Sequence, residues 1–475
     1  MAFYSSQYDL FLNTTESFCH ECKNKERLIP AHIVSKWQEV YLRKFCPDCW
    51  EIWSIISNNL EYFRKCNEYL KKPDLPERAL TPILRGCPFD CGVCPQHQNH
   101  PCLALFNVID ECNMNCNICY HSSEPGSGNY RTMDEIRKMH ETLLSVESAP
   151  DLIQVTGGEP SIHPDIIEIL KYLKSGPVRH LMINTNGIRI SQDEEFVKEL
   201  KNIGKGFEVY LQFDSLDGDT LKKIRNGDMR STRQKALEML EKYNISTTLV
   251  CVIHKWLNDR EIPELIAHAQ EWKCVRGIVF QPIQDVGRNN TTDYRINLSE
   301  IRDIIIQDQT NPFWANDMIP LPCDPHKICV GYAVKHEGQI LPVTGKIPRE
   351  MITEQRGTIA FEQDKEFLKS VIETVSLDTA FGENIINKDS IKRKLFCCWP
   401  EFFAPESMSY ENIFRIVIME FTDMYNFDSA NIKRECNFMI EEDRAIPFST
   451  YNMWLSRSTP SPSIKEKVNA WKKSN

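Results

Sequence analysis

"LALFNVIDECNMNCNICYH", residues 103–121, runs from an apolar stretch straight into three cysteines, Cys112, Cys116 and Cys119, spaced C-x3-C-x2-C. Residues 103–110 read as a buried β-strand, so the thiols occupy the loop that leaves its carboxyl end. A 4Fe-4S cube has four irons, and three thiolates leave one of them open to a substrate.

Outward from that loop the chain alternates regularly. Strand-like runs follow at 152–158, 180–187, 207–214, 246–253 and 277–283, separated by amphipathic helical patterns at 132–146, 164–175, 193–203, 231–243 and 260–272. Thr132 and Glu135 form a capping box for the first helix. Strand–helix alternation implies a parallel sheet with right-handed crossovers and a site at the carboxyl ends of the strands. The expected fold is α/β, a partial (β/α)6 TIM-like barrel over residues 103–310. "TGGEP" (156–160), "NTNG" (184–187) and "QFDS" (212–215) end its second, third and fourth strands.

Upstream, "CHEC" (Cys19, Cys22) and "CPDC" (Cys46, Cys49) are two C-x2-C knuckles that can wrap one tetrahedral ion, zinc or iron. The text between and after them reads as helical, and residues 1–75 form a metal-knuckle domain. "KKPDLPERALTPILRG" (71–86) is a proline-punctuated linker. Within 76–102, "GCPFDCGVCPQHQNHPC" places Cys87, Cys91, Cys94 and Cys102 in one loop, which suits an auxiliary cubane or a second zinc site. Residues 311–475 are less regular, read as a separate C-terminal α+β lobe, and carry Cys323, Cys329, Cys397, Cys398 and Cys436.

Composition narrows the class. The chain has 475 residues, 41% hydrophobic and 26% charged, with formal net charge -10. That acidic balance argues against nucleic acid as a partner, and the short run Lys392–Lys394 reads as a solvated face. No stretch approaches a membrane span, which leaves room for peripheral contact only. Nineteen cysteines, an odd count with repeated short spacings and no signal-peptide pattern, point to metal ligation in a reducing, cytoplasmic setting.

The C-x3-C-x2-C after the first strand resembles the radical S-adenosylmethionine superfamily. That resemblance implies a 4Fe-4S cluster on Cys112, Cys116 and Cys119 that binds the methionyl group, donates an electron and releases a 5'-deoxyadenosyl radical. It further implies cofactor contacts from Ile118 against adenine, from Tyr120, from Gly157, Gly158, Glu159 and Pro160 around the methionyl ammonium, and from Asn184, Asn186, Gln212 and Asp214 around the ribose. Such chemistry needs an electron donor, a ferredoxin or flavodoxin.

"GCPFDCGVCPQHQNHPCLALFNVIDECNMNCNICY", "GGEPSIHPDI", "PLPCDPH" and "MYNFDSANIKRECNFMIEEDRAIPFSTYN" resemble a narrower group, the archaeal tetraether lipid synthases and the class D, folate- or pterin-dependent methyltransferases. By that resemblance the knuckles hold a rubredoxin-like iron, Cys87, Cys91, Cys94 and Cys102 hold one auxiliary cluster, and C-terminal cysteines hold another. Where that group has a cysteine pair, a histidine and a later cysteine, this chain has Glu435 and Cys436, Phe438 and Ser449, so a second auxiliary cluster would be rebuilt with Cys323, Cys329 and Cys436.

The aromatic runs "NPFWAND" (311–317) and "FCCWPEFFAPESMSY" (396–410) suit a lipid tunnel or a core. The expectation is hydrogen abstraction from an unactivated C–H bond with carbon–carbon bond formation on a lipid or other apolar substrate. The alternatives are methyl transfer from a reduced folate or pterin, and a noncatalytic metal scaffold.

Overall fold

The computed structural model describes residues 10–24, 26–126, 128–289, 294–336, 339–360 and 412–455. Lys392–Lys394, Cys397, Cys398 and the run 396–410 lie outside them.

Four strands, β1 Leu10–Ser17, β2 Ile29–Lys36, β3 Glu39–Cys46 and β4 Trp50–Ser57, form an antiparallel sheet in chain order. The segment between the knuckles, expected to be helical, is therefore the β2–β3 hairpin. Its apolar residues fall at period two, with Ala31 and Ile33 on one strand and Val40 and Leu42 on the next all buried on one face, which is strand spacing. Helix α1 (Leu60–Glu68), capped by Asn59, comes only after β4. Lys44 anchors this sheet to the rest of the molecule, its buried ammonium donating to the carbonyls of Phe18, Met424 and Tyr425.

The central strands are β5 Leu103–Ile109, β6 Leu152–Gly157, β7 His180–Thr185, β8 Phe207–Gln212, β9 Thr247–Ile253 and β10 Val275–Pro282. They pair in parallel in that order. Helices α2 Met133–Val146, α3 Ile166–Ser175, α4 Ile188–Gln192, α5 Glu194–Lys201, α6 Gly218–Arg225, α7 Arg230–Lys242, α8 Ile262–Glu271 and α9 Leu298–Gln307 alternate with them. The Thr132/Glu135 capping box starts α2.

The C-terminal region does not stand apart as a lobe. It supplies β11 Ile319–Pro320, β12 Ile328–His336, β13 Gln339–Pro342, β14 Ile413–Met419, β15 Asn437–Ile440 and β16 Ala445–Pro447 to the same sheet. Strand β14 lies parallel to β10, with Gly277 opposite Arg415, and β15 lies parallel to β5, with Leu103 opposite Asn437. The run of parallel neighbours is thus β15-β5-β6-β7-β8-β9-β10-β14. Every residue of β14 and β15 is buried, so neither shows the alternation of a half-exposed strand, and no strand–helix–strand spacing leads into them.

Each central strand presents alternate residues to two apolar cores. Phe106, Val155, Ile183, Leu211, Cys251 and Phe280 pack against the helices. Leu103, Leu105, Met182, Tyr210, Val250, Val279, Val417 and Met419 face inward. The inward set makes the strands curl around an interior that opens where β5–β10 end. No helix among the described residues is long and apolar enough to cross a membrane.

Candidate active site and cysteine clusters

Directly after β5, residues 110–121 form the loop that carries the cysteine triplet. The segments that follow two other strands hold it. After β6, Gly158 donates to the Ile109 carbonyl at 2.7 Å and Glu159 to that of Glu111 at 2.9 Å. A Cβ on Gly158 would lie 2.0 Å from the Glu111 oxygen, so only glycine allows this approach. After β10, Gly287 (φ 62°) passes so near that its Cβ would lie 2.3 Å from the Cys119 carbonyl oxygen. Arg288 then donates from its backbone to Cys119 O (3.0 Å) and from Nε to Cys116 O (2.8 Å).

Burial pushes the Cys112 thiol up to about 12 and also raises that of Cys116, where the Arg225 guanidinium works against it. Arg225 in turn donates to both oxygens of Asp214 at 2.8 Å and to Gln212 Oε1 at 2.9 Å. A cation behind one sulfur favours its thiolate form.

Of the residues expected at the cofactor, Ile118, Tyr120, Asn184 and Gln212 line the interior cavity at the carboxyl ends of the strands. Gly157, Gly158 and Pro160 shape the loop beneath it. Glu159 is buried, and its carboxylate accepts from Ser161 N (3.1 Å), Thr185 Oγ1 (2.6 Å) and Asn186 N (2.7 Å), tying the second strand end to the third. The Asn186 side chain donates to Asn113 Oδ1 within the triplet loop at 2.7 Å.

Asp214 is a correction. It was expected at a ribose hydroxyl, but it is fully buried, with its oxygens taken by Arg225, Arg233 and the Val252 amide. Burial alone would raise its pKa, yet the two guanidiniums hold it at about 2. It is an anchor for Arg225.

The cavity is also lined by residues that strand periodicity did not single out: Gln154, Tyr210, Gln281 and Gln284, with Leu103, Leu105, Phe421 and Phe448 around them. Asn184, Gln212 and Gln281 line the cavity from near the carboxyl ends of β7, β8 and β10. Gln212 donates to Asn184 Oδ1 at 2.8 Å, whereas Gln284 Nε2 is buried with no protein acceptor among the described residues. A signal was present in the text, since amides at the ends of otherwise apolar strands are unusual for a core. Nothing in the local sequence marked Arg225.

The other cysteines sort into sets. Cys19, Cys22, Cys46 and Cys49 come together with all four sulfurs within 4.8 Å of one another, Cys22 and Cys46 being 3.9 Å apart. Cys87, Cys91 and Cys94 line one small cavity with His97, and Cys91 Sγ lies 2.8 Å from Thr450 Oγ1.

Cys102 is not with them, contrary to the four-cysteine reading of that loop. It directly precedes β5, whose pairing with β15 brings it to Cys436, and Leu103 N donates to the Cys436 carbonyl at 3.1 Å. The sulfurs of Cys102, Cys323 and Cys436 lie within 4.8 Å of one another. Cys329 does not join, because on β12 it points to the helix-facing core, beside Tyr62 and Cys66. The triplet Cys112, Cys116 and Cys119 is not packed at this one-ion spacing among the described residues, which fits thiolates spread over a larger cluster.

Residues 106–269 match the radical SAM superfamily, and residues 11–57 match the HMPTM N-terminal zinc ribbon domain. Residues 106–269 are a radical SAM domain. The chain is 26% identical over 500 aligned positions, 97% of both chains, to 7,8-dihydro-6-hydroxymethylpterin dimethyltransferase of Methanocaldococcus jannaschii. It is 26% identical over 207 positions to GTP 3',8-cyclase of Petrotoga mobilis, covering 42% of this chain and 62% of that one. Among solved structures, Streptococcus suis SuiB bound to S-adenosylmethionine aligns with 17% identity and a TM-score of 0.35 over 43% of this chain and 46% of that one. Radical SAM enzymes work with a 4Fe-4S cluster and S-adenosylmethionine and take their electron from a donor.

Proposed function

We propose that this radical SAM enzyme transfers methyl groups to a carbon of a pterin-class heterocycle, with a reduced folate or pterin as carbon donor. The observation that carries the reading is the amide-rich lining of the cavity beside the triplet loop, where Gln154, Gln281 and Gln284 stand beyond the Asn184 and Gln212 amides that face the cofactor. Carboxamides offer both donors and acceptors, which match the ring nitrogens, amino group and carbonyl of a pterin. A buried Gln284 Nε2 without a protein acceptor needs one from a ligand. An acyl chain would leave the buried Gln284 Nε2 unsatisfied, at a cost that disfavours the lipid-coupling expectation.

The full-length similarity to a pterin dimethyltransferase, which spans the ribbon as well as the barrel, supports the same reading. When bound, the cluster and S-adenosylmethionine supply a 5'-deoxyadenosyl radical for hydrogen abstraction. Cys112, Cys116 and Cys119 hold the cluster. Ile118 offers an apolar face to adenine, and Asn184 and Gln212 offer amides to the sugar. The Tyr210 hydroxyl accepts from Gln281 Nε2 at 3.4 Å, orienting that amide toward the cavity. Leu103, Leu105, Phe421 and Phe448 keep water from the reacting carbon.

The test is anaerobic turnover of cluster-replete protein with S-adenosylmethionine, a strong reductant, 7,8-dihydro-6-hydroxymethylpterin as acceptor and a methylene-bearing reduced folate as carbon donor. Stimulated release of 5'-deoxyadenosine with a product heavier by methyl groups is expected. Stimulation by a lipid extract and none by the pterin would overturn the substrate class.

A further inference from the structure

We propose that Cys102, Cys323 and Cys436 bind a single tetrahedral metal ion, zinc or iron, separate from the ribbon ion and from any 4Fe-4S cluster. Spacing is the first argument. With metal–sulfur bonds of about 2.3 Å, two thiolates on one tetrahedral ion lie about 3.8 Å apart. All three sulfurs fall within 4.8 Å of one another, as do those of the ribbon, where Cys22 and Cys46 are 3.9 Å apart. Among the described residues no other cysteine set packs this tightly, and the triplet at the barrel mouth does not.

Assembly is the second argument. The three residues come from segments far apart in sequence: Cys102 just before β5, Cys323 in the turn between β11 and β12, and Cys436 just before β15. All are at most 1% exposed. Three buried thiols scattered by chance would pack as small apolar groups with carbon around each sulfur. Here the sulfurs turn toward one another.

The surroundings supply a third. His100 Nε2 is 3.6 Å from Cys102 Sγ, and its Nδ1 is 2.8 Å from the buried carboxylate of Glu147, which Arg356 also contacts. The carbonyl of Gly357 lies 3.5 Å from Cys102 Sγ and that of Thr358 lies 3.7 Å from Cys323 Sγ. His100 Nε2 also lies 2.8 Å from the Gly357 carbonyl, so the carboxylate–histidine pair fixes the loop that borders the sulfurs, as outer-shell groups do at metal sites.

The ion would fasten the two ends of the sheet to each other. Cys102 and Cys436 flank the β5–β15 pair at one edge, and Cys323 belongs to the β11–β12–β14 edge. Backbone pairing joins each edge internally, and the metal would cross between them. Ligands drawn from distant segments convert binding energy into fold stability.

Counting metal against acid-labile sulfide tests this on the full-length, anaerobically reconstituted protein. A 4Fe-4S cluster contributes equal iron and sulfide, so total iron plus zinc in excess of sulfide counts single ions. The expected excess is about two per chain, one from the ribbon and one from this site. The Cys323→Ser/Cys436→Ser variant should lower it to about one with sulfide unchanged, and so should Cys19→Ser/Cys22→Ser. A wild-type excess of about one that the ribbon variant abolishes would overturn the proposal, with no need for the inner variant to fold. Loss of sulfide together with iron in the inner variant would overturn it too, because the site would then hold a cluster.

Discussion

The floor and the mouth of the barrel both carry polar residues on inward-facing strand positions, and they treat them in opposite ways. At the floor, Glu208 meets His180 Nε2 at 2.9 Å and Arg415 at 2.7 Å, while Arg415 also donates to Thr248 Oγ1 at 3.0 Å. Thr248 closes the set by donating to Glu208. Four polar side chains from β7, β8, β9 and β14 pair with one another in a site with almost no exposure. At the mouth, the amides of Gln154, Asn184, Gln212, Gln281 and Gln284 surround a cavity, and Gln284 Nε2 is left without an acceptor among the described residues. A polar residue inside a barrel is structural where its partners are protein and functional where the partner is missing.

The sharpest way to break this contrast is at the mouth's own loop. Cys116→Ala should abolish 5'-deoxyadenosine release while thermal unfolding of the barrel stays close to wild type, since the residue sits on a loop and not in either core. Normal turnover in that variant would end the radical reading. The next largest effect belongs to the floor. Arg415→Met leaves Glu208 buried with less compensation, and removing one partner of such a pair costs about 3–5 kcal/mol. Chemical unfolding should show that loss, with the cluster's spectrum and the KM for substrate retained in the protein that remains folded. A variant of unchanged stability but lost activity would move the floor into the site.

A smaller effect is expected from Gln281→Leu. Losing one ligand hydrogen bond costs about 1–3 kcal/mol, read as a rise in KM for the pterin with unfolding unaffected. If stability falls instead, Gln281 belongs to the core and the mouth is less of a site than its lining suggests.

Both polar layers were hard to read from sequence for the same reason. Glu208, Arg415, Gln154 and Gln281 each stand in a strand-like run, and period-two patterning shows only that they share a face. What that face meets depends on strands brought alongside from elsewhere. Arg415 lies on β14, a strand legible as "IFRIVIMEF" but with nothing local to reveal that it would pair with β10. Features confined to one segment were readable: the six central strands, the Thr132 cap, the two ribbon knuckles and the triplet loop. Cys102 failed that test because its neighbours in space come from elsewhere in the chain, Cys436 through the β5–β15 pairing and Cys323 from the turn between β11 and β12. Asp214 failed it because Arg225 and Arg233 reach it from α6 and α7.

The slightest effect separates the two layers by pH. Burial alone would raise the Glu208 pKa, but Arg415 and His180 hold it at about 2 against an ordinary 4.5. A carboxylate with a depressed folded pKa binds its proton more readily when unfolded. Its contribution to stability is therefore complete above pH 4.5 and is lost as pH falls toward about 2. Wild type and Glu208→Gln, compared in urea with matched cluster content, should differ above pH 4.5, and the gap should narrow below it. Subtracting one protein from the other removes the other titrating carboxylates, provided they are not coupled to this site. Gln281→Leu, carried through the same series, should track wild type throughout, because no charge is held at the mouth by that residue. A gap for Glu208→Gln that stays constant through the acid range would mean that the floor is held together by shape, and the distinction drawn from its ion pairs would fail.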